Sequence, residues 1–265
     1  MKIKYTKTEI ISNKKINDSY HIIRLACNNE YSNASAGQFI MLRSIEGMEP
    51  LLSRPFSIYQ IIKQNEDDLY IEILYKTVGI FTNWLSKQLP GTILSIVGPL
   101  GNGFKIKGYN KIFIIAGGVG IAPMYMLSRS LIDEGCNPLN IKVFLGGRTN
   151  SDILCKNDFF NMGIPIEILT EDGSEGKKGI ATDLLESEIK NNSPDMIYAC
   201  GPMPMLKSVA IIANNFNIPC QVSIETMMAC GMGACLGCAV ESNVPNKFYH
   251  ACIDGPVFNA NNLKL

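Results

Sequence analysis

Four of the chain's nine cysteines fall in its last 36 residues, and their spacing is the strongest chemical signal in the sequence. The stretch reads Cys230-Gly-Met-Gly-Ala-Cys235-Leu-Gly-Cys238, and Cys252 follows after thirteen more residues. Three close thiolates and one distant one suit a [2Fe–2S] cluster, which needs four and uses the spacing C-x4-C-x2-C…C. Gly231, Gly233 and Gly237 let the backbone wrap close to inorganic sulfur with its N–H groups turned inward, and such hydrogen bonds help set a reduction potential. The competing chemistry is structural zinc, whose sites favour two Cys-x2–4-Cys knuckles without interleaved glycines. The other five cysteines, Cys27, Cys136, Cys155, Cys200 and Cys220, are scattered. Scattered cysteines are usually small buried hydrophobes.

Two further stretches could hold phosphate. Ile112-Phe-Ile-Ile-Ala116-Gly117-Gly118-Val-Gly120-Ile-Ala-Pro123-Met124 reads as a strand, a glycine turn and a helix start, where backbone N–H groups can meet a pyrophosphate. Pro123 fits a first helical turn. Lys76-Thr-Val-Gly79-Ile-Phe-Thr82 precedes a helix-like piece, with a glycine and a hydroxyl where an anion is favoured. Cys200-Gly201-Pro202 closes a buried strand; Cys200 serves equally as core filler or as a site group. Arg148, in Gly146-Gly147-Arg148-Thr149, follows the second strand near where an adenosine ribose would lie, and either reads a 2′-phosphate or is an ordinary exposed arginine. The sequence favours NAD. His21 and His250 lie far apart, and no Ser-His-Asp or paired-carboxylate arrangement stands out.

The elements that position these groups fall into three zones. In the first hundred residues, Ser19–Ala26, Gln38–Arg43, Ser53–Gln60, Leu69–Lys76 and Thr92–Val97 have strand character, with one helix-like piece at Ile80–Gln88. Many short strands imply a small antiparallel barrel. From about residue 108, apolar strands at Lys111–Ala116, Ile141–Leu145, Pro165–Thr170, Met196–Cys200 and Gln221–Ile224 alternate with helix-length segments. Those segments are Ala122–Glu134, Ser151–Asn161, Ala181–Lys190 and Pro202–Asn215, and the alternation implies a doubly wound parallel sheet. A Gly- and Cys-rich tail with little regular structure follows. The fold class expected is β-barrel plus α/β with a C-terminal cluster segment, divided as 1–107, 108–224 and 225–265.

Composition narrows the class. Hydrophobic residues make up 46% and charged residues 18% of 265, so packed domains are expected rather than disorder. Lys plus Arg and Asp plus Glu are each 24, which gives no electrostatic case for nucleic acid or an anionic membrane surface. The opening MKIKYTKTEI lacks an apolar leader, and the run Ile112–Met124 is too short to span a bilayer. A cytoplasmic chain is the expectation.

Arg54-Pro55-Phe56-Ser57-Ile58, preceded by Gly37-Gln38-Phe39-Ile40-Met41-Leu42, resembles the flavin strand of the ferredoxin reductase superfamily. Across essentially its whole length the chain is similar to the electron-transfer subunits of class 1B dihydroorotate dehydrogenases. The likeness is sharpest at Arg54–Ser57, Ala116–Pro123, Cys200–Pro202 and Glu225–Cys238, and Asp254-Gly-Pro-Val-Phe258 shares it. It implies FAD, with Arg54 on the pyrophosphate, Phe56 along the flavin and Ser57 near its N5. Pro55, Leu74, Tyr75, Lys76, Gly79 and Thr82 complete the implied FAD set. It implies NAD at Gly117, Gly118, Gly120, Pro123, Gly201 and Pro202, with Ser57 and Cys200 where hydride moves. The implied cluster ligands are Cys230, Cys235, Cys238 and Cys252.

Three positions depart from the family pattern: Phe56 where tyrosine is common, Phe81 where a glycine usually precedes the threonine, and Met227 where a basic residue is frequent. The resemblance implies an FMN-containing catalytic partner that oxidises dihydroorotate, in a heterotetramer of two plus two chains. Electrons would pass through the cluster and FAD to NAD+. The alternative is the small subunit of an NADPH-dependent ferredoxin or sulfide reductase with the same cofactors.

Overall fold

A computed structural model describes residues 5–45, 51–65 and 68–265. The first four residues of the opening stretch lie outside the described residues. The chain divides into two compact units.

Unit 1 comprises residues 1–103 with 226–239 and 250–256. Its strands are β1 (Tyr5–Lys15), β2 (Tyr20–Cys27), β3 (Phe39–Ser44), β4 (Arg54–Ser57), β5 (Gln60–Lys63), β6 (Leu69–Lys76) and β7 (Ile93–Leu100), with helix α1 (Ile80–Leu85) between β6 and β7. They form one seven-stranded sheet in the order β4-β3-β7-β1-β2-β6-β5, antiparallel at every pairing. A register shift between Ile10 and Ser12 bends β1, so the sheet curls on itself. The concave face buries Ile10, Ile23, Leu25, Ile40, Leu42, Ile71, Ile73 and Leu94, the alternate residues of their strands.

Unit 2 comprises residues 104–225 with 240–249 and 257–265. Along the chain run β8 (Ile112–Gly117), α2 (Ile121–Asp133), β9 (Ile141–Gly147), α3 (Lys156–Asn161), β10 (Ile166–Thr170), β11 (Lys177–Lys178) and α4 (Leu185–Asn191). Then follow β12 (Met196–Cys200), α5 (Met203–Asn215), β13 (Cys220–Ser223), β14 (Ala239–Glu241), β15 (Phe248–His250) and β16 (Val257–Asn259). The sheet order is β11-β10-β9-β8-β12-β13-β16. It is parallel except for β16, which runs antiparallel beside β13. Ile112–Ala116 and Met196–Cys200 are wholly buried, as strands covered on both faces must be. The winding reverses between β8 and β12, and the crevice at such a reversal is where doubly wound sheets bind ligands.

The tail, a single segment by its sequence, is shared between the units: 226–239 and 250–256 go with unit 1, while 240–249 and 257–265 go with unit 2. It also carries three short strands where the sequence suggests little regular structure. Among the described residues no helix is long and apolar enough to cross a membrane.

Candidate functional site

The four tail cysteines all belong to unit 1. Gly231 and Gly233 have φ of +70° and +80°, so the loop turns through conformations open chiefly to glycine. At Gly231 a Cβ would lie 2.6 Å from Met41 Cγ and 3.2 Å from Leu100 Cδ1, so the loop is laid against β3 and β7. The sulfurs fall into two pairs. Cys238 Sγ and Cys252 Sγ are 3.2 Å apart, and the N–H of Gly233 donates to Cys252 Sγ at 3.1 Å. Cys230 Sγ accepts from the N–H groups of Met232 and Cys235, each at 3.4 Å, and from the Cys235 side chain.

Desolvation works to raise the Cys230 thiol, but these donors outweigh it and bring it down to about 7. Cys252 goes the other way: burial and its neighbour Cys238 push it up to about 12. Among the described residues no three His, Cys, Asp or Glu side chains converge as one metal ion would require. Two pairs with amides aimed at sulfur fit a two-iron cluster, one pair to each iron.

The strand carrying Arg54–Ser57 is the sheet's edge strand β4, paired with β3 so that Met41 faces Pro55 and Phe39 faces Ser57. Since Gly231 sits on Met41, the cysteine loop is one strand away from β4. Phe56 meets Tyr75 edge-on and Phe81 at a tilt, each with centroids 6.1 Å apart. Behind it, His21 stacks on Tyr75 at 5.4 Å, and the Tyr75 hydroxyl bonds to Asn13 at 3.0 Å. Leu74 and Tyr75 are buried, so only their backbone edge can reach a ligand. Lys76 lies over the Tyr20 ring.

Arg54 donates to the carbonyls of Leu52 and Ser53 at 2.8 and 3.3 Å, which folds its guanidinium back on its own loop. Thr82 Oγ1 accepts from the N–H groups of Val78 and Gly79 at 2.9 and 3.1 Å. Its hydroxyl therefore shapes the turn rather than projecting from it. A Cβ on Gly79 would meet nothing within 4 Å, and the flanking Val78 and Ile80 are 75% and 76% exposed. That apolar, open backbone edge is a cradle of the kind a flat cofactor covers.

In unit 2 the structure brings the glycine turn and the Cys200-Gly201-Pro202 turn together at the winding reversal. A Cβ at Gly120 would come within 2.6 Å of the Cys200 carbonyl carbon, and one at Gly117 within 2.8 Å of Pro202 Cδ. These glycines thus have a packing reason that holds whatever they bind. Gly118, at φ +53°, makes the turn itself. Pro123 sits in the first turn of α2, where its missing N–H leaves no bond unmade. Cys200 is buried opposite Ser223 in the β12–β13 register. Burial pushes its thiol upward, the Glu225 charge adds to this, and the Ser223 hydroxyl opposes it. The thiol stays protonated, fit for packing against a ligand rather than for nucleophilic attack. Desolvation also raises the Glu225 carboxyl, although the residue as a whole reaches solvent. Ser223 carries no motif signal; only the parallel register brings it to Cys200.

An antiparallel half-barrel with a doubly wound sheet and a cysteine tail defines an oxidoreductase of the ferredoxin-reductase-like fold. Residues 114–210 match the oxidoreductase NAD-binding domain, and residues 225–264 match the iron-sulfur cluster binding domain of dihydroorotate dehydrogenase B. The chain is 37% identical over 266 residues to the "Dihydroorotate dehydrogenase B (NAD(+)), electron transfer subunit" of Clostridium acetobutylicum, covering 100% of this chain and 99% of that one. It is also 37% identical over 230 residues to the protein of the same name from Desulforamulus reducens, covering 85% of each.

Among solved structures, one described as the NADH-dependent reduced ferredoxin-NADP oxidoreductase superposes with a TM-score of 0.84 at 29% identity, covering 97% of this chain and 89% of that one. A ferredoxin NADP+ reductase from Neisseria gonorrhoeae with bound FAD and NADP, at TM-score 0.62 and 18% identity over 80% of this chain and 91% of that one, shares the fold. The chain belongs to the family of electron transfer subunits of NAD(+)-dependent dihydroorotate dehydrogenase B. The dihydroorotate dehydrogenase B relatives do not favour the ferredoxin-linked alternative.

Proposed function

We propose that this chain is the NAD-reducing electron carrier of a dihydroorotate dehydrogenase, holding FAD and one [2Fe–2S] cluster in unit 1 and receiving NAD on unit 2. The observation that carries this reading is the seat of Gly231 on Met41, whose strand partner is Pro55. That contact packs the cysteine loop on the strand next to β4, which supports reading β4 as the flavin strand beside the cluster. When bound, FAD supplies hydride exchange with the nicotinamide, and the cluster supplies single-electron transfer to and from the partner.

The chain's residues then have these parts. Cys230, Cys235, Cys238 and Cys252 would hold the cluster, and the amides of Met232, Gly233 and Cys235, which already donate to Cys230 and Cys252 sulfur, would stabilise charge there. Arg54, released from the Leu52 and Ser53 carbonyls, turns to the FAD pyrophosphate, for which a planar fork of donors is suited. Pro55 and Phe56 pack on the flavin, Ser57 lies near its N5, and the Leu74–Lys76 backbone edge and Gly79 line it. Thr82 holds that edge in shape. Gly117, Gly118 and Gly120 bind the dinucleotide pyrophosphate at the start of α2, with Pro123 shaping the turn. Gly201 and Pro202 set Cys200 beside the nicotinamide. The substrate chemistry takes place on an FMN-containing catalytic subunit, in an assembly of two plus two chains in the cytoplasm.

An anaerobic titration with NADH tests the reading. Flavin and cluster absorption should both be present in the isolated chain and both bleach, and a co-expressed catalytic subunit should then couple dihydroorotate oxidation to NAD+ reduction. A colourless, zinc-containing protein would end the proposal. A coloured one bleached only by NADPH would replace dihydroorotate with the ferredoxin-linked alternative.

A further inference from the structure

Unit 2 carries charged groups beside the glycine turn that none of these roles uses. β9 runs alongside β8, so Arg148, directly after β9, lies on the side of the turn where doubly wound sheets hold the adenosine ribose. An arginine there could read a 2′-phosphate, but this one, although its side chain is 70% exposed, has its Nε tied to an acid. The Asp152 carboxylate, itself buried, accepts the Arg148 backbone N–H and its Nε at 3.2 Å each.

The next loop brings more negative charge against the same segment. The N–H groups of Glu171 and Asp172 donate to the carbonyls of Gly147 and Arg148 at 3.0 and 3.2 Å, which fixes both acids beside it. Asp172 Oδ1 accepts from the hydroxyl and N–H of Ser174 at 2.6 and 2.9 Å, and Ser174 Oγ in turn accepts the Asn150 N–H at 2.8 Å. These bonds hold the Asp172 carboxyl below the usual range, so it is charged at neutral pH. Of the nearby cations, Lys156 is paired with Glu175 and Lys177 with Glu167. Lys178 runs its stem past Gly173. With Arg148 and Lys178 set against Asp152, Glu171 and Asp172, the rim keeps an excess of negative charge.

We propose that this rim selects the coenzyme: Asp152 offsets the charge of Arg148, and Asp172 and Glu171 repel the roughly two negative charges that a 2′-phosphate carries. NAD(H), with a neutral 2′-hydroxyl, enters freely, and the Thr149 and Ser151 hydroxyls, 2.7 Å apart, offer uncharged partners to the ribose diol. The proposal rests on the nucleotide-binding part of the proposed function.

The sign of the salt effect tests it without any mutation. Reduction of ferricyanide by the holoprotein is followed with NADH and with NADPH from about 0.02 M to about 0.5 M salt, over which charge interactions pass from long-ranged to screened. The pyrophosphate is common to both coenzymes, so the ratio of their kcat/KM values isolates the 2′-phosphate. Repulsion requires the NADPH/NADH ratio to rise severalfold with salt; a flat or falling ratio overturns the proposal, since a guanidinium gripping the phosphate would weaken. The double variant Asp152→Asn with Asp172→Asn should raise the ratio about tenfold at low salt. The amide oxygen that Asp152→Asn introduces can still accept the Arg148 N–H. Should the double variant lose its flavin, Asp172→Asn alone, at an exposed position, should still raise the ratio, and no change there also overturns the proposal. A flavin-bearing wild type that oxidises neither coenzyme would overturn the nucleotide-binding reading itself, and the selector with it.

Discussion

Cys27, Cys200 and Cys220 are thiols whose ionisation the fold opposes. Burial pushes Cys27 and Cys220 up to about 12 from an ordinary value of 9.0, and it raises Cys200 as well, with the Glu225 charge adding to the effect. For each, the folded pKa lies above the unfolded one. The native state therefore keeps a proton that the unfolded chain releases between about pH 9 and about pH 12. The stability this represents is complete below about pH 9 and is lost as pH rises, at up to about 1.4 kcal/mol per pH unit for each thiol. The denaturant midpoint of reduced, anaerobic holoprotein should fall markedly between about pH 9 and about pH 11, and Cys220→Ala should flatten that slope by one thiol's share. An equal slope in the variant would mean that the Cys220 thiol does not reach water-like ionisation on unfolding. The sequence offers Cys200 as core filler or site group with equal force; its burial opposite Ser223 accounts for the core role, and the site role belongs to the proposed function.

At the scale of elements, Gly231 ties the cysteine loop to the barrel. Its φ of +70° disfavours any side chain by about 1–2 kcal/mol, and a Cβ would press on Met41 Cγ, which lies too near the backbone to swing aside easily. Gly231→Ala should therefore displace Cys230 and lower iron per chain to below about half, while flavin content stays high because β4 is not touched directly. Equal loss of iron and flavin would show general unfolding instead. The sequence marks this loop clearly, because glycines interleaved with closely spaced cysteines suit a backbone wrapped around a cluster and little else. It leaves β1 unmarked. Of Tyr5–Lys15 only Thr8 and Ile10 are buried, and the inward Thr8 satisfies its hydroxyl on the Ala26 carbonyl at 2.6 Å, so the apolar alternation is broken. The helix expected over Ser151–Asn161 begins only at Lys156. Asp152 is committed to Arg148, and Cys155 adopts a left-handed φ of +57°, two tertiary choices that propensity does not reveal. Strands such as Met196–Cys200, apolar throughout, are legible because burial on both faces leaves nothing else to encode.

At the scale of the whole molecule, the tail decides how cluster loss is felt. It serves unit 1 at 226–239, unit 2 at 240–249, unit 1 again at 250–256 and unit 2 at its end. Each unit thus depends on a stretch of chain that reaches it only after visiting the other. In unit 1 the tail's hold is partly backbone: Asn102 Nδ2 donates to the Ile253 and Asp254 carbonyls at 2.9 and 3.0 Å, and the Asn102 N–H to the Gly255 carbonyl at 2.6 Å. In unit 2 it is the β13–β16 ladder, Val222 opposite Phe258. A metal centre whose ligands lie on two tail stretches contributes its binding free energy to folding of those stretches. Chelating the iron from reduced protein should therefore raise amide hydrogen exchange over 226–239 and 250–256 by orders of magnitude. The ladder at 257–259 and the buried strands β8 and β12 should keep their protection, because their bonds do not involve the cysteines. Loss of protection at β16 together with the cysteine loops would mean that the tail unfolds as one cooperative piece. Unchanged exchange throughout would mean that the Asn102 and Gly231 contacts hold the loop without metal, and that the site is preformed for the cluster rather than folded by it.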